Sequence, residues 1–128
     1  MNVIIKLINY PKRLLIKSKF ISKPNLKDRF SIIHKNNYWD NSETVSGPGS
    51  TMKNTVNLRK KLRKIIKKYK IKSIFDAPCG DCNWIKGIIR NSSVKYIGAD
   101  IVDEIIKNNK KKFNYKNTFF YKKDITKN

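Results

Sequence analysis

Three aspartates recur at equal spacing in the second half of the chain and are the residues best placed to bind a ligand. Asp76, Asp100 and Asp124 stand 24 residues apart in a sequence that holds only nine acidic residues. Each comes at or just after the end of a short hydrophobic segment typical of a buried strand. Because a strand with its following helix has about that length, the carboxylates are expected along one edge of a parallel sheet, where open α/β folds bind ligands.

The elements that would position these aspartates alternate between strand and helix. Hydrophobic periodicity predicts an amphipathic helix, capped by Ser50 or Thr51, and then a β-α-β-α-β run. This order favours an α/β fold: a partial, Rossmann-like three-layer sandwich with parallel strands in the order 3-2-1 and flanking helices. The predicted helices cover residues 50–69, 83–91 and 102–113, and the predicted strands cover residues 71–75, 94–100 and 117–124.

Three short segments around the aspartates carry a family resemblance. DAPCGDCNW, YIGADI and KKDI, which begin at residues 76, 96 and 122, resemble the first three cofactor motifs of class I S-adenosylmethionine-dependent methyltransferases. With NNYW and SGPGST upstream, residues 36–124 are similar to a group of poorly characterised bacterial and phage-borne methyltransferases. The resemblance implies an enzyme that binds S-adenosyl-L-methionine, with no metal and with catalytic residues unidentified. The cofactor-binding residues that it implies are Asp76, Ala77, Pro78, Cys79, Gly80, Asp100, Ile101, Asp124 and Ile125.

The family also implies a role for each segment. The turn over residues 76–82 would wrap the methionine part of the cofactor, Asp100 would hold the ribose hydroxyls, and Asp124 would mark the adenine. The residue chemistry agrees, since one carboxylate can accept hydrogen bonds from both hydroxyls of a diol. Amides at the start of a helix can likewise bind a carboxylate. Methyl transfer of this kind depends on positioning and on removal of a proton from the acceptor.

The first turn departs from the family pattern. The three glycines that alternate in the family's turn fall on Pro78, Gly80 and Cys82, so only one of them is kept. Proline stiffens the turn and removes a backbone donor, and Cys82 adds a side chain where the next helix packs closely. We therefore expect a cofactor site of altered shape or weaker affinity.

The resemblance covers only the cofactor-binding half of such a domain. No fourth strand, acceptor-binding motif or general base is identified after Asp124, so the acceptor is unknown. The sequence therefore favours a truncated or split methyltransferase. Residues 1–49 are predicted to form a basic arm and loop, and residues 50–128 an incomplete cofactor-binding domain. A partner chain that completes the sheet is one expectation, because the first strand would otherwise be an exposed pairing edge.

A large positive charge supports the main alternative, a basic nucleic-acid-binding module without catalysis. The 128 residues carry 30 Lys and Arg and a formal net charge of +21 at pH 7, which attracts polyanions. The excess of Lys over Arg favours background composition over a dedicated phosphate-binding surface. Candidate contacts are the lysine face of the helix at 52–69 and five aromatic residues that are otherwise predicted to be core: Tyr38, Trp39, Phe119, Phe120 and Tyr121.

Two other enzyme classes share part of the pattern. A nicotinamide or flavin Rossmann enzyme would have the same strand, turn and helix, but its turn needs the G-x-G-x-x-G spacing that is missing here. Cys79 and Cys82 form a C-x-x-C at a strand-to-helix turn, where helix amides can depress a thiol pKa. A redox protein is therefore a less favoured alternative.

The remaining features bear on location. Two cysteines give no disulfide framework, which favours the cytoplasm. The apolar clusters of residues 1–20 are too short to span a bilayer and are interrupted at Pro11, so an ordinary first helix is favoured over a membrane-surface helix. His34, the only histidine, is predicted to be a solvated loop residue.

Overall fold

The secondary structure alternates along the chain as the hydrophobic pattern indicates. A computed structural model describes residues 13–19, 21–90 and 92–127, so the predictions for residues 1–12 lie outside the described residues. Residues 13–19 are helical. The later helices are α1 (Leu26–Lys35), α2 (Val56–Lys68), α3 (Lys86–Ile89) and α4 (Asp103–Lys112), with a 3-10 turn at Pro48–Ser50. The strands are β1 (Ser73–Asp76), β2 (Lys95–Asp100) and β3 (Thr118–Lys122).

The strands form one parallel sheet in the order β1-β2-β3. Asp76 pairs with Gly98, which pairs in turn with Phe120, and Asp100 pairs with Lys122. The predicted α/β class, with a parallel sheet flanked by helices, is confirmed. β1 lies at one edge, and within the described residues it pairs only with β2.

The core lies on one face of the sheet. Tyr96 and Phe120 are buried on this face, among residues of α2, α3 and α4. Gly98 makes their packing possible, since a Cβ at this position would lie 2.8 Å from the Phe120 ring. The apolar helix residues that contact this part of the sheet or one another are Leu62, Ile66, Ile85, Ile88, Ile89 and Ile106.

The opposite face is largely open. Phe75, Phe119 and Tyr121 lie on this face and are 61%, 39% and 54% exposed. The prediction that Phe119 and Tyr121 belong to the core is therefore wrong, because strand alternation turns only Phe120 inward. Within the described residues, the core cluster packs helices α2, α3 and α4 on the face that carries Tyr96 and Phe120.

Two local predictions also need correction. α2 begins at Val56 rather than at Ser50 or Thr51, since the chain first makes the 3-10 turn and a further turn in which the Thr51 hydroxyl accepts from the Asn54 amide. His34 lies in α1 rather than in a loop, because Asn25 caps this helix by accepting from the Asp28 amide at 2.8 Å. Within residues 13–19, 21–90 and 92–127, none of the helices has the length and apolar character needed to cross a bilayer.

Candidate functional site

A cavity of about 410 Å³ opens at the carboxyl ends of the strands. Its volume is that of a small-molecule site. Asp76, Asp100 and the β1 turn line this cavity together with residues of α1 and Trp39. The cavity is therefore bounded by residues from both of the predicted regions, 1–49 and 50–128. The turn residues in the wall are Pro78, Cys79 and Gly80.

The three aspartates lie at the same edge of the sheet, but at successive positions along the strand direction. Asp76 pairs with Gly98, two residues before Asp100, and Asp100 pairs with Lys122, two residues before Asp124. At about 3.3 Å per residue, each carboxylate lies roughly 7 Å beyond the preceding one along the strand direction. For Asp76 and Asp100, which lie within the strands, this two-residue step keeps both side chains on the same face.

Asp100 ties the β1 turn to the start of α4. One carboxylate oxygen accepts from the Gly80 amide at 3.1 Å, and the other accepts from the Val102 amide at 3.0 Å. The residue is only 6% exposed. Since each carboxylate oxygen has two lone pairs, Asp100 retains acceptor capacity on the cavity side.

Asp76 lines the same cavity and is half-buried. The Tyr96 hydroxyl donates to its carboxylate at 2.6 Å. Burial raises the pKa of Asp76 and the charge of Asp100 raises it further, whereas the hydrogen bond from Tyr96 lowers it. Ionisation of Asp76 is therefore less favourable than that of a solvated aspartate, and a nearby cation would offset this difference.

The backbone of the β1 turn keeps a glycine-like shape. Gly80 and Cys82 both have positive φ angles, 53° and 54°. In a non-glycine residue such an angle costs about 1–2 kcal/mol. Asn109, buried in α4, stabilises the turn by donating to the Gly80 carbonyl at 2.7 Å. Cys82, at one of the two positions where this sequence lacks the family's glycine, therefore keeps a glycine-like backbone conformation.

Asp81 fastens the preceding loop onto this turn. Its carboxylate accepts from the Thr44 hydroxyl at 2.8 Å, the Val45 amide at 3.1 Å and the Ser46 hydroxyl at 2.9 Å. The Ser46 oxygen in turn accepts from the Asp81 amide at 3.0 Å. The sequence analysis missed this role of Asp81. The available signal was the presence of an acidic residue in the turn and of several Ser and Thr hydroxyls in the preceding loop.

Glu43 makes a second connection between the same loop and turn. Its carboxylate oxygen accepts from the Met52 amide at 2.6 Å and from the Asn83 side chain at 2.7 Å. These two hydrogen bonds, that of the Met52 amide first, lower the pKa of Glu43. Residues 43–52 are therefore held against the cavity wall by two acids that the sequence analysis had not identified.

The two cysteines are structural in this setting. Both are buried and not joined by a disulfide, and the Asn109 amide lies 3.8 Å from the Cys79 sulfur and 3.6 Å from the Cys82 sulfur. The adjacent Cys82 thiol and burial raise the pKa of Cys79, which is opposite to the shift that activates a redox thiol. No group of three or more His, Cys, Asp or Glu in the described part of the chain is arranged to hold a metal ion.

The cavity that holds Asp76 and Asp100, the main cavity, is smaller than an open space of about 810 Å³ beside α1. Asp124 lines that open space, and both Asp124 and Ile125 lie outside the main cavity. They line an adjoining space of about 160 Å³, which also contacts Asp100 and Ile101. The Asp124 carboxylate accepts from the hydroxyl and the amide of Thr126, at 2.6 and 3.0 Å, and these hydrogen bonds lower the pKa of Asp124.

The structure brings most of the predicted binding residues together. Asp76, Asp100 and the β1 turn line one cavity, Ala77 is half-buried within the turn, and Ile101 borders both the main and the adjoining cavity. Comparisons with protein-family models, with curated proteins and with solved structures give no match.

Proposed function

We propose that this chain binds S-adenosyl-L-methionine at the carboxyl ends of its strands and takes part in transfer of the cofactor's methyl group. The observation that carries the proposal is the position of Asp100. Its carboxylate holds the amide of Gly80 and borders a cavity that also contains Asp76. A glycine turn fastened to an acid at the end of the next parallel strand is an arrangement suited to a nucleoside with a charged tail.

The shape and chemistry of the two cavities fit such a ligand. The main cavity offers carboxylates for an ammonium group and a diol, through Asp76 and Asp100. The smaller adjoining cavity has Ile101 and Ile125 among its lining residues, which suits a flat, largely apolar base. A cation near Asp76 would also compensate the unfavourable ionisation of that buried carboxylate.

The residues of the chain act by binding and orienting. When bound, the cofactor supplies a methyl group made electrophilic by its positively charged sulfur. Asp100 accepts from the sugar hydroxyls, Asp76 faces the positively charged part, and Trp39 forms part of the wall that excludes water. Such fixed positioning is a large part of catalysis in a displacement reaction.

Calorimetry with S-adenosylhomocysteine tests the proposal. We expect the unmodified chain to bind, and the Asp100→Asn variant to bind at least about tenfold more weakly, since a hydrogen bond to a charged group contributes about 1.5–3 kcal/mol. The Asp103→Asn variant is the matched control, because it removes an equal charge from an exposed ion pair with Lys107 on α4. No binding by the unmodified chain, or equal weakening in both variants, would contradict the proposal.

A second candidate function is binding of single-stranded nucleic acid to the open face of the sheet. Phe75, Phe119 and Tyr121 are exposed there, and the Lys95 ammonium lies 5.3 Å from the centre of the Phe119 ring. Stacking of bases on exposed aromatic rings contributes about 1–3 kcal/mol per base. Fluorescence anisotropy with a short single-stranded oligonucleotide should show weaker binding in Tyr121→Ala, whereas unchanged binding would assign the affinity to lysine charge alone.

A further inference from the structure

His34 lines the main cavity, as do residues of the β1 turn. It occupies the last turn of α1 and lines the cavity together with Trp39, Asp76 and Asp100. It is also the only histidine in the chain. An imidazole is the side chain best suited to accept and release a proton near neutral pH, so its placement at a ligand cavity has chemical consequences.

The imidazole is not used to hold the fold together through hydrogen bonds. Its Nδ1 atom is enclosed, and among the described residues it has no hydrogen-bond partner. An enclosed polar atom without a partner is unfavourable by about 1–3 kcal/mol. Because this enclosed atom is out of reach of a ligand, the nitrogen that remains available to accept a proton is Nε2, which is not among the enclosed unpaired atoms.

The other titratable groups that line the cavity are already engaged. Asp76 accepts from the Tyr96 hydroxyl, and Asp100 accepts from two backbone amides. The neighbouring thiol and burial raise the pKa of Cys79, which keeps it protonated. Among the described titratable side chains that line the cavity, His34 is therefore the one that accepts no hydrogen bond from the protein.

We propose that His34 is the general base of the methyl-transfer site, an inference that rests on the proposed function. As a heteroatom of the acceptor bonds to the methyl carbon, the bond between that carbon and sulfur breaks and leaves its electron pair on sulfur. The sulfur becomes a neutral thioether, and the proton displaced from the acceptor passes to an imidazole nitrogen of His34. Proton removal by a positioned base contributes roughly 10²–10⁴ in rate.

Proton NMR of the whole chain tests the position of His34 without knowledge of the acceptor. A single histidine gives one unambiguous imidazole C2–H signal, which is followed against pH with saturating S-adenosylhomocysteine and then with S-adenosylmethionine. The two ligands differ by one methyl group and one positive charge. If His34 faces the methyl group, its titration midpoint should lie about 0.5 pH unit lower with S-adenosylmethionine. Asp76 and Asp100 are present in both samples, so their charges cancel in this comparison.

Calorimetry on the same samples distinguishes failure of the proposed role of His34 from failure of the proposed ligand binding. Equal midpoints with both ligands bound would overturn the role of His34 and leave the proposed function standing, whereas absence of binding would overturn both. Proton release on binding S-adenosylmethionine, measured in two buffers of different ionisation enthalpy, should disappear in His34→Gln. This variant should bind S-adenosylhomocysteine within about twofold of the unmodified chain. A loss of that binding would instead assign His34 a structural role and overturn the inference.

Discussion

The turn after β1 and the segment after β3 occupy equivalent places at the edge of the sheet but differ in how they are held. The β1 turn is tied to β2 and α4 through Asp100, to α4 through Asn109, and to the loop at 43–52 through Asp81. After β3, Asp124 forms its side-chain hydrogen bonds with Thr126, two residues away. The end of a strand determines where an aspartate lies. Hydrogen bonds to residues distant in the chain are needed to make that aspartate part of a rigid site.

This difference predicts an order of mutational effects. Changes in the β1 turn should disturb both the stability of the fold and the binding of a ligand, because the turn is connected to three other elements. Changes after β3 should affect neither the fold nor the main cavity to a comparable degree. A site that is built in advance on one side and open on the other can also accept variation in ligand structure on its open side.

The largest effect is expected for Gly80→Ala. An added Cβ would lie 2.2 Å from the Ser46 hydroxyl oxygen, and the φ angle of 53° is strained for alanine. Steric overlap together with the left-handed backbone should destabilise the fold by about 2–4 kcal/mol, measured by urea unfolding. In a Ser46→Gly background the overlap is removed and the same substitution should cost about 1–2 kcal/mol. An equal loss of unfolding free energy in both backgrounds would show that Ser46 does not restrict the side chain at position 80.

The next effect is the loss of the Asp81 connection. Asp81→Ala removes a carboxylate that accepts from Thr44, Val45 and Ser46. Hydrogen bonds to charged groups contribute about 1.5–3 kcal/mol, so we expect a decrease of about 2–3 kcal/mol in the free energy of unfolding. Asp103→Ala, at an exposed ion pair, is the control and should leave the urea midpoint unchanged. Equal urea midpoints for Asp81→Ala and Asp103→Ala would show that the hydrogen bonds of Asp81 do not contribute to stability.

The sequence predicted the sheet and its acids better than the network around them. A regular 24-residue spacing reports a repeated strand and helix, so the strand ends at Asp76 and Asp100 followed from local pattern. The partners of Asp81 lie 35–37 residues upstream, and no local periodicity encodes such a contact. Similarly, the run Phe119-Phe120-Tyr121 has no polar alternation, so the inward residue could not be identified before the register with β2 was known.

A third expectation concerns pH and again lies within the β1 turn. Burial raises the pKa of Asp76 above the ordinary value of an aspartate, so protonation of this carboxyl is more favourable in the folded state than in the unfolded state. The stabilisation from this group is full below the unfolded pKa and is lost as pH rises through the folded pKa. Asp76→Asn keeps an acceptor for the Tyr96 hydroxyl but does not titrate. Its free energy of unfolding, relative to the unmodified chain, should therefore increase from pH 3 to pH 7 in urea titrations. A constant or decreasing difference would show that Asp76 is not penalised by burial.

The smallest effect is expected for Asp124→Ala, and it provides the sharpest test of the comparison. The half-buried carboxylate forms hydrogen bonds only to Thr126, two residues away, so we expect no measurable change in melting temperature. In calorimetry, the affinity for S-adenosylhomocysteine should fall by no more than about threefold, against at least about tenfold for Asp100→Asn. If Asp124→Ala weakened binding as much as Asp100→Asn, the segment after β3 would have to close onto the ligand and form contacts that the free chain does not contain. The contrast between a preformed β1 turn and an open third strand end would then not apply to the bound state.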